Sequence, residues 1–251
     1  MQPACMRPAM WSGPRNISTA MMRSFGQRDD CAVIDEPLYA AYLAETGLEH
    51  PMRDEVLGSQ SHDWRAVVEV LTRGETQAAL VYQKHMTHHL LPSMGRDWLD
   101  ALTHAFLIRE PRAVAASYRA KRDQATPSDL GFPQQREIFD RVCDRLGKAP
   151  PVIDAADILA NPEATLRALC AALGLSFQAQ MLSWPPGRRA TDGVWAAHWY
   201  ERVEASTGFA AASTAPVVLD AAGERLAAAC RPHYDALHVH RLTTQSAQYQ
   251  D

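Results

Sequence analysis

Short continuous apolar runs alternate with helix-spaced apolar stripes along most of this chain. Ala9-Met10-Trp11 leads into Ser12-Gly13-Pro14-Arg15-Asn16-Ile17-Ser18-Thr19, and helix-forming residues follow. This reads as strand, loop and helix, the helix over 18–26 with Gly26 as its terminator. The next strand is Cys31–Asp35, with Pro37 placed to begin a helix. Trp64, Val67, Val68 and Leu71 recur at amphipathic helix spacing. A strand over 78–82 carries Gln83, Lys84 and His85 at its C-terminal end, and a strand over 105–108 closes on Arg109-Glu110-Pro111. From Pro111 a helix carries Val114, Ser117 and Tyr118; another covers 134–146, with Ile138, Val142 and Leu146 on one face. Val152–Asp154 is a short strand, and Asn161-Pro162-Glu163 opens a helix that Gly174 ends. Beyond 178 only helices and loops are expected, the last near 224–238, then a polar tail from about 240. Strands alternating with helices predict a three-layer α/β fold, a mostly parallel sheet flanked by helices, with a helical C-terminal part.

Composition narrows the function classes. A chain of 251 residues without a flexible linker is expected to form one domain over 1–251. A net charge of −4 argues against a general nucleic-acid binder. Five scattered cysteines have no metal-type spacing and read as thiols of a reducing compartment. The start, MQPACMRPAM, is too short and polar for a signal peptide, and no apolar run has membrane-spanning length. A cytoplasmic protein without membrane contact is expected, and Asn16-Ile17-Ser18 is then an accidental glycosylation triplet. A homodimer is left open.

In parallel sheets ligands sit outside the carboxyl ends of the strands. Four strand ends here are polar: Arg15 with Ser18 and Thr19, then Glu36, then Lys84 with His85, then Arg109. Backbone N–H groups, hydroxyls and cations at such ends suit an anionic, group-transferring substrate. Ser117, about two turns into its helix, lies within reach of Arg109, and the two can grip one phosphate. Ordinary polar strand ends are the plain alternative.

These motifs resemble those of sulfotransferases. Gly13-Pro14-Arg15-Asn16-Ile17-Ser18-Thr19 is similar to the 5′-phosphosulfate loop of that family, in the P-R form of bacterial members. Leu107-Ile108-Arg109-Glu110-Pro111 with Ser117 eight residues after Arg109 is similar to its 3′-phosphate motif. Pro186-Gly187-Arg188-Arg189-Ala190-Thr191-Asp192-Gly193-Val194-Trp195 is distantly similar to its late glycine-tryptophan loop. The resemblance implies a P-loop-type fold and the donor 3′-phosphoadenosine 5′-phosphosulfate (PAPS). It places Arg15, Asn16, Ser18 and Thr19 on the 5′-phosphosulfate, and Arg109 and Ser117 on the 3′-phosphate. The acceptor would be a hydroxyl or amine of a small molecule or carbohydrate.

Two residues qualify as the base. His85 resembles the catalytic histidine after the third strand of cytosolic sulfotransferases, and its ordinary pKa suits the task. Glu36, in Asp35-Glu36-Pro37, resembles the glutamate that serves some carbohydrate sulfotransferases, and burial would raise its pKa. Lys84 would stabilise sulfuryl or leaving-group charge. No metal is expected, since His85, His88 and His89 have no carboxylate spaced to complete a ligand set.

Three positions depart from the family pattern, one of them Asn16, which stands where a serine is common in the P-R form. Ile17 stands at the usual small glycine, and a β-branched residue disfavours positive φ. The loop is therefore expected to take another path, or the site to have lost activity. Ala196 stands where a basic residue is expected after the tryptophan, with Arg188 or Arg189 as substitute. The aromatic run from Trp195 to Tyr200 reads either as acceptor pocket or as core. The competing classes are a P-loop kinase, whose Gly-x-x-x-x-Gly-Lys-Ser/Thr is absent, and a non-catalytic nucleotide binder.

Overall fold

Every residue of Pro8–Ser12 (β1) is buried, because this strand runs through the middle of the sheet with a neighbour on each side. The computed structural model describes residues 5–120, 125–211 and 216–243; the expected tail beyond 243 lies outside them, as do residues 1–4. The other strands are Cys31–Asp35 (β2), Leu80–Met86 (β3), Thr103–Ile108 (β4) and Val152–Asp154 (β5). Their order is β2-β3-β1-β4-β5, and all four pairings are parallel. Met10 pairs with Lys84 on one side and Ala105 on the other, and Asp35 pairs with Lys84.

The alternation of side chains splits the core in two. One face of the sheet carries Met10, Leu80, Tyr82, Ala105, Leu107 and Ile153. It packs under Ser18–Phe25 (α1), Tyr39–Thr46 (α2), Arg53–Ser59 (α3), Ala155–Ala160 (α7) and Pro162–Ala172 (α8). The other face carries Ala9, Trp11, Phe106, Ile108 and Val152. Helices Trp64–Arg73 (α4), Pro111–Arg119 (α5), Phe132–Leu146 (α6) and Ala221–His238 (α11) cover it. Two single-turn helices, Ala196–Trp199 (α9) and Glu201–Glu204 (α10), precede the last helix. The three-layer α/β reading therefore holds, with a helical C-terminal part.

The third strand differs from its expected bounds. It covers Leu80–Met86, so Gln83, Lys84 and His85 lie inside it rather than beyond it. Polar residues are strand-end signals only when they are solvated. Here each is bonded within the core: Gln83 Nε2 donates to the Leu71 carbonyl at 2.8 Å, and His85 Nε2 lies 3.1 Å from Gln83 Oε1. Lys84 and His85, being consecutive in a strand, point to opposite faces. The helix expected at Pro37 starts two residues later, at Tyr39. The short α3, which buries only Val56, had no apolar stripe to announce it.

β1 connects outward to the β2–β3 side, while β4 and β5 extend the other way, so the order reverses beside β1. Such a switch point opens a crevice at the carboxyl ends of β1 and β4. Gln135 Nε2, from α6, bridges the two strands by donating to the Trp11 carbonyl at 3.0 Å and the Leu107 carbonyl at 2.9 Å. Gly13 then passes so close to the segment before α6 that a Cβ would run into the Leu130 carbonyl oxygen. Gly13→Ala is expected to cost about 1–3 kcal/mol in urea unfolding by displacing the loop; an unchanged midpoint would show the contact to be soft.

Candidate active site

The loop from Ser12 to Ile17 takes two left-handed residues that are not glycine: Arg15 at φ 65° and Ile17 at φ 57°. Ile17 is the N-cap of α1 and takes the positive φ that its β-branch disfavours. Its side chain packs on the α1-side core, and that packing offsets a backbone conformation costing about 1–3 kcal/mol. No side chain caps α1 and no acid stands in its first turn, so the N–H groups above Ser18 and Thr19 form a positive helix end. Ser18 is buried and Thr19 half-buried. Asn16 is buried, its Nδ2 donating to the Leu107 carbonyl at 3.3 Å, while its Oδ1 has no partner among the described residues.

Arg15, Arg109 and Ser117 meet at this crevice. Arg15 Nε donates to Ser117 Oγ at 2.9 Å, and Arg109 Nη1 donates to the Arg15 carbonyl at 2.6 Å. Local sequence explains the placement: Glu110 caps α5 through the Ala113 N–H at 3.0 Å and Pro111 starts the helix, turning Ser117 back over the loop. Both guanidiniums sit below their ordinary pKa, first through burial; the charge of Arg202 acts on both, and that of Arg15 on Arg109. Asp154 and Glu110 partly offset this repulsion at Arg109, but among the described residues neither Arg15 nor Arg109 has a carboxylate within salt-bridge distance.

Beside it, on the α1 face of the sheet, lies a second cluster. Lys84 is 1% exposed, and its Nζ donates to Asp35 Oδ1 at 2.9 Å, Glu36 Oε1 at 2.5 Å and the Tyr200 hydroxyl at 2.7 Å. Burial works against its charge, but Asp35 and Glu36 overcome that and hold the ammonium well above its usual pKa. Glu36, itself at φ 40°, has a carboxyl raised mainly by burial and further by Asp35, against the pull of Lys84. Tyr200 is in this second cluster and Arg202 acts on the first. Tyr200 and Arg202 are two residues apart, so the turn into α10 links the two clusters along the chain.

His85 lies on the other face. It is 1% exposed, stacks on Trp11 at 4.4 Å, and is pushed down to about 3 by burial and by His104. The structure thus separates His85 from Glu36 and Lys84, which it brings together. A neutral buried histidine has a further consequence. Below about pH 6.5 the unfolded chain takes up a proton that folded His85 refuses until about 3, so stability falls as pH drops through this window. Urea midpoints of wild type and His85→Phe are expected to converge on acidification, at about 1.4 kcal/mol per pH unit. A constant difference would contradict neutral burial.

The late loop docks on the last turn of α1 and on the second cluster. Asp192 forms a buried pair with Arg23 of α1 at 2.5 and 2.7 Å, and the Gly193 N–H donates to Asp35 Oδ2 at 3.2 Å. A Cβ at Gly193 would collide with the Trp195 ring, which folds back into the core and donates to the Tyr200 hydroxyl at 3.2 Å. Of the aromatic run, Trp195 and Tyr200 are therefore core residues. Arg188 is exposed, and Arg189 is spent on the carbonyls of Pro185 and Pro186. Arg202, seven residues past Trp195, adds positive charge that acts on Arg15 and Arg109. Asp35 and Arg202 escaped sequence reasoning, as did the link between Asp35 and Tyr200; Asp35 stood beside Glu36, but nothing local connected it to residue 200.

Comparison with known proteins identifies the family and agrees with the fold. A family model described as a sulfotransferase domain matches residues 6–241. Two relatives from Arabidopsis thaliana, named branched-chain-amino-acid aminotransferase-like proteins 2 and 1, are each 37% identical over 230 residues. The alignment covers 92% of this chain but 41% of those relatives, so the chain spans well under half of their length. Among solved structures, a sulfotransferase from Alicyclobacillus acidocaldarius superposes with a TM-score of 0.54 at 13% identity, over 96% of this chain and 98% of that one. The sulfotransferase domain from the curacin biosynthetic pathway gives 0.50 at 15% identity, over 98% and 95%. At such identities these two likenesses concern the fold.

Proposed function

The chain belongs to the sulfotransferase family, and from that membership we propose that it moves a sulfuryl group from PAPS to a hydroxyl or amine of a small molecule or carbohydrate. The observation that carries this reading is the half-buried Arg15–Ser117–Arg109 group by the mouth of α1, with the charge of Arg202 acting on both guanidiniums, together with the buried Glu36–Lys84 pair. The first supplies positive charge to a donor that is anionic at both its 5′-phosphosulfate and its 3′-phosphate; the second supplies a base and a fixed cation.

The residues fit the donor's chemistry. The α1 N-terminus, with Ser18 and Thr19, suits the 5′-phosphosulfate, and the Arg15–Ser117–Arg109 group suits a 3′-phosphate. An anion there would relieve the repulsion among the guanidiniums. We assign the base to Glu36 rather than His85, because His85 is buried on the far side of the sheet from Lys84. Glu36 takes the acceptor proton as the new bond to sulfur forms. The old sulfur–oxygen bond breaks, and its electron pair stays with the leaving phosphate. Lys84, unable to lose its proton in this setting and with its three N–H groups donated to Asp35, Glu36 and Tyr200, positions Glu36 and acts on the transferring oxygens through its charge alone. No step of this scheme calls on a metal.

The test is incubation with PAPS and a panel of alcohols, phenols, amines and oligosaccharides, with sulfated products read by mass spectrometry. Acceptor-dependent sulfation is expected. Phosphate transfer from ATP in its place would overturn the reading.

A further inference from the structure

His89 is the last residue of the short 3-10 turn Thr87–His89 that follows β3, and it is 2% exposed. Its ring is nearly parallel to Tyr39 at 4.4 Å and 12°, and to Tyr42 at 4.8 Å and 28°. Two rings at such distances cannot share one face, so the imidazole is held between them. Its Nδ1 is buried without a hydrogen-bond partner among the described residues, and Glu36 Oε2 lies 4.0 Å away. That is too long for a direct hydrogen bond. Nor is it an ion pair: burial, with His88, His50 and Lys84, keeps the imidazole neutral. A buried ring nitrogen left unsatisfied is costly, and a rigidly clamped one cannot swing to another partner.

The 4.0 Å gap has a particular use. An oxygen at the apex of a triangle on that base lies at ordinary hydrogen-bond distance from both atoms. We propose that Glu36 Oε2 and His89 Nδ1 form a two-point notch for the acceptor, and that it selects a hydroxyl over an amine. This rests on the sulfotransferase reading and on Glu36 as base. Facing a carboxylate, Nδ1 carries the ring proton, because a lone pair pointed there would be repelled. The acceptor oxygen donates its proton to Glu36, accepts the Nδ1–H with one lone pair and attacks sulfur with the other. His89 keeps its proton throughout. A neutral amine has one lone pair and cannot both accept from His89 and attack.

Water, the smallest hydroxyl acceptor, serves as the probe: slow release of sulfate from PAPS is followed in wild type, His89→Phe and His89→Asn. Phe keeps the ring stack without the N–H; the Asn side-chain amide returns an N–H near the Nδ1 position. Sulfate release is expected to fall about tenfold in His89→Phe, the weight of one hydrogen bond, and to recover in His89→Asn. Calorimetric affinity for adenosine 3′,5′-bisphosphate is expected to stay unchanged in both. Independently of turnover, 15N NMR at neutral pH is expected to show the Nδ1–H tautomer in a resonance that His89→Phe removes. Equal sulfate release in wild type and His89→Phe, no release by wild type, or an Nε2–H tautomer overturns the notch while leaving donor binding intact. Failure of wild type to bind the bisphosphate at all overturns the donor reading instead.

Discussion

Glu36→Gln is expected to lower the turnover number about 10²–10⁴-fold, the usual weight of a general base, while leaving affinity for adenosine 3′,5′-bisphosphate unchanged. The substitution keeps the shape of the side chain and an oxygen to accept from Lys84 Nζ, now at 2.5 Å from Oε1. It removes the capacity to take a proton and, with it, one negative charge beside Lys84. The pH profile provides a second reading. Because burial raises the Glu36 carboxyl, wild-type turnover is expected to decline on acidification earlier than an ordinary glutamate would cause. Residual turnover of Glu36→Gln is expected to lack that limb. Turnover within about twofold of wild type would remove Glu36 from the base role.

Lys84→Met carries the largest expected effect on stability. Lys84 holds Asp35, Glu36 and the Tyr200 hydroxyl together in a site with almost no solvent. Methionine fills much of the same volume but leaves two adjacent carboxylates with no cation. Removing one partner of a buried pair in this way costs about 3–5 kcal/mol. Urea unfolding is expected to show that loss, with part of it recovered in the double variant Lys84→Met/Glu36→Gln, since the second change removes one of the stranded charges. A loss below about 1 kcal/mol would mean that water or a proton replaces the lysine easily.

Much of the fold was legible because its strands are short apolar runs with clear terminators. Cys31–Asp35 and Val152–Asp154 have the bounds that the pattern predicts. Asn161, Pro162 and Glu110-Pro111 mark helix starts by chemistry that survives in the folded chain, with both Asn161 and Glu110 acting as caps. The third strand misled for a definite reason. Its polar half is buried through long-range partners, Leu71 for Gln83 and Asp35, Glu36 and Tyr200 for Lys84, and no local pattern reveals such partners. That error mattered for the site: read as a loop, Lys84 and His85 share one neighbourhood, whereas in a strand they part. Ile17 shows the opposite limit. Its intrinsic dislike of positive φ is real, but packing on the core outweighs it. Arg202 was hidden because its importance depends on how the loop after Trp195 folds back, which Asp35, Asp192 and Arg23 decide from elsewhere in the chain.

The central claim is that the cations around the α1 mouth hold a nucleotide through its 3′-phosphate. Calorimetric titration of adenosine 3′,5′-bisphosphate against ATP and AMP, with wild type and Arg109→Ala side by side, tests it most directly. Micromolar binding of the bisphosphate is expected, with far weaker binding of ATP and AMP. Loss of the Arg109 fork is expected to weaken the bisphosphate roughly 10²-fold, as a charge-assisted contact of about 1.5–3 kcal/mol implies. Equal affinity for all three nucleotides, or an Arg109→Ala variant that binds as wild type does, would contradict the account.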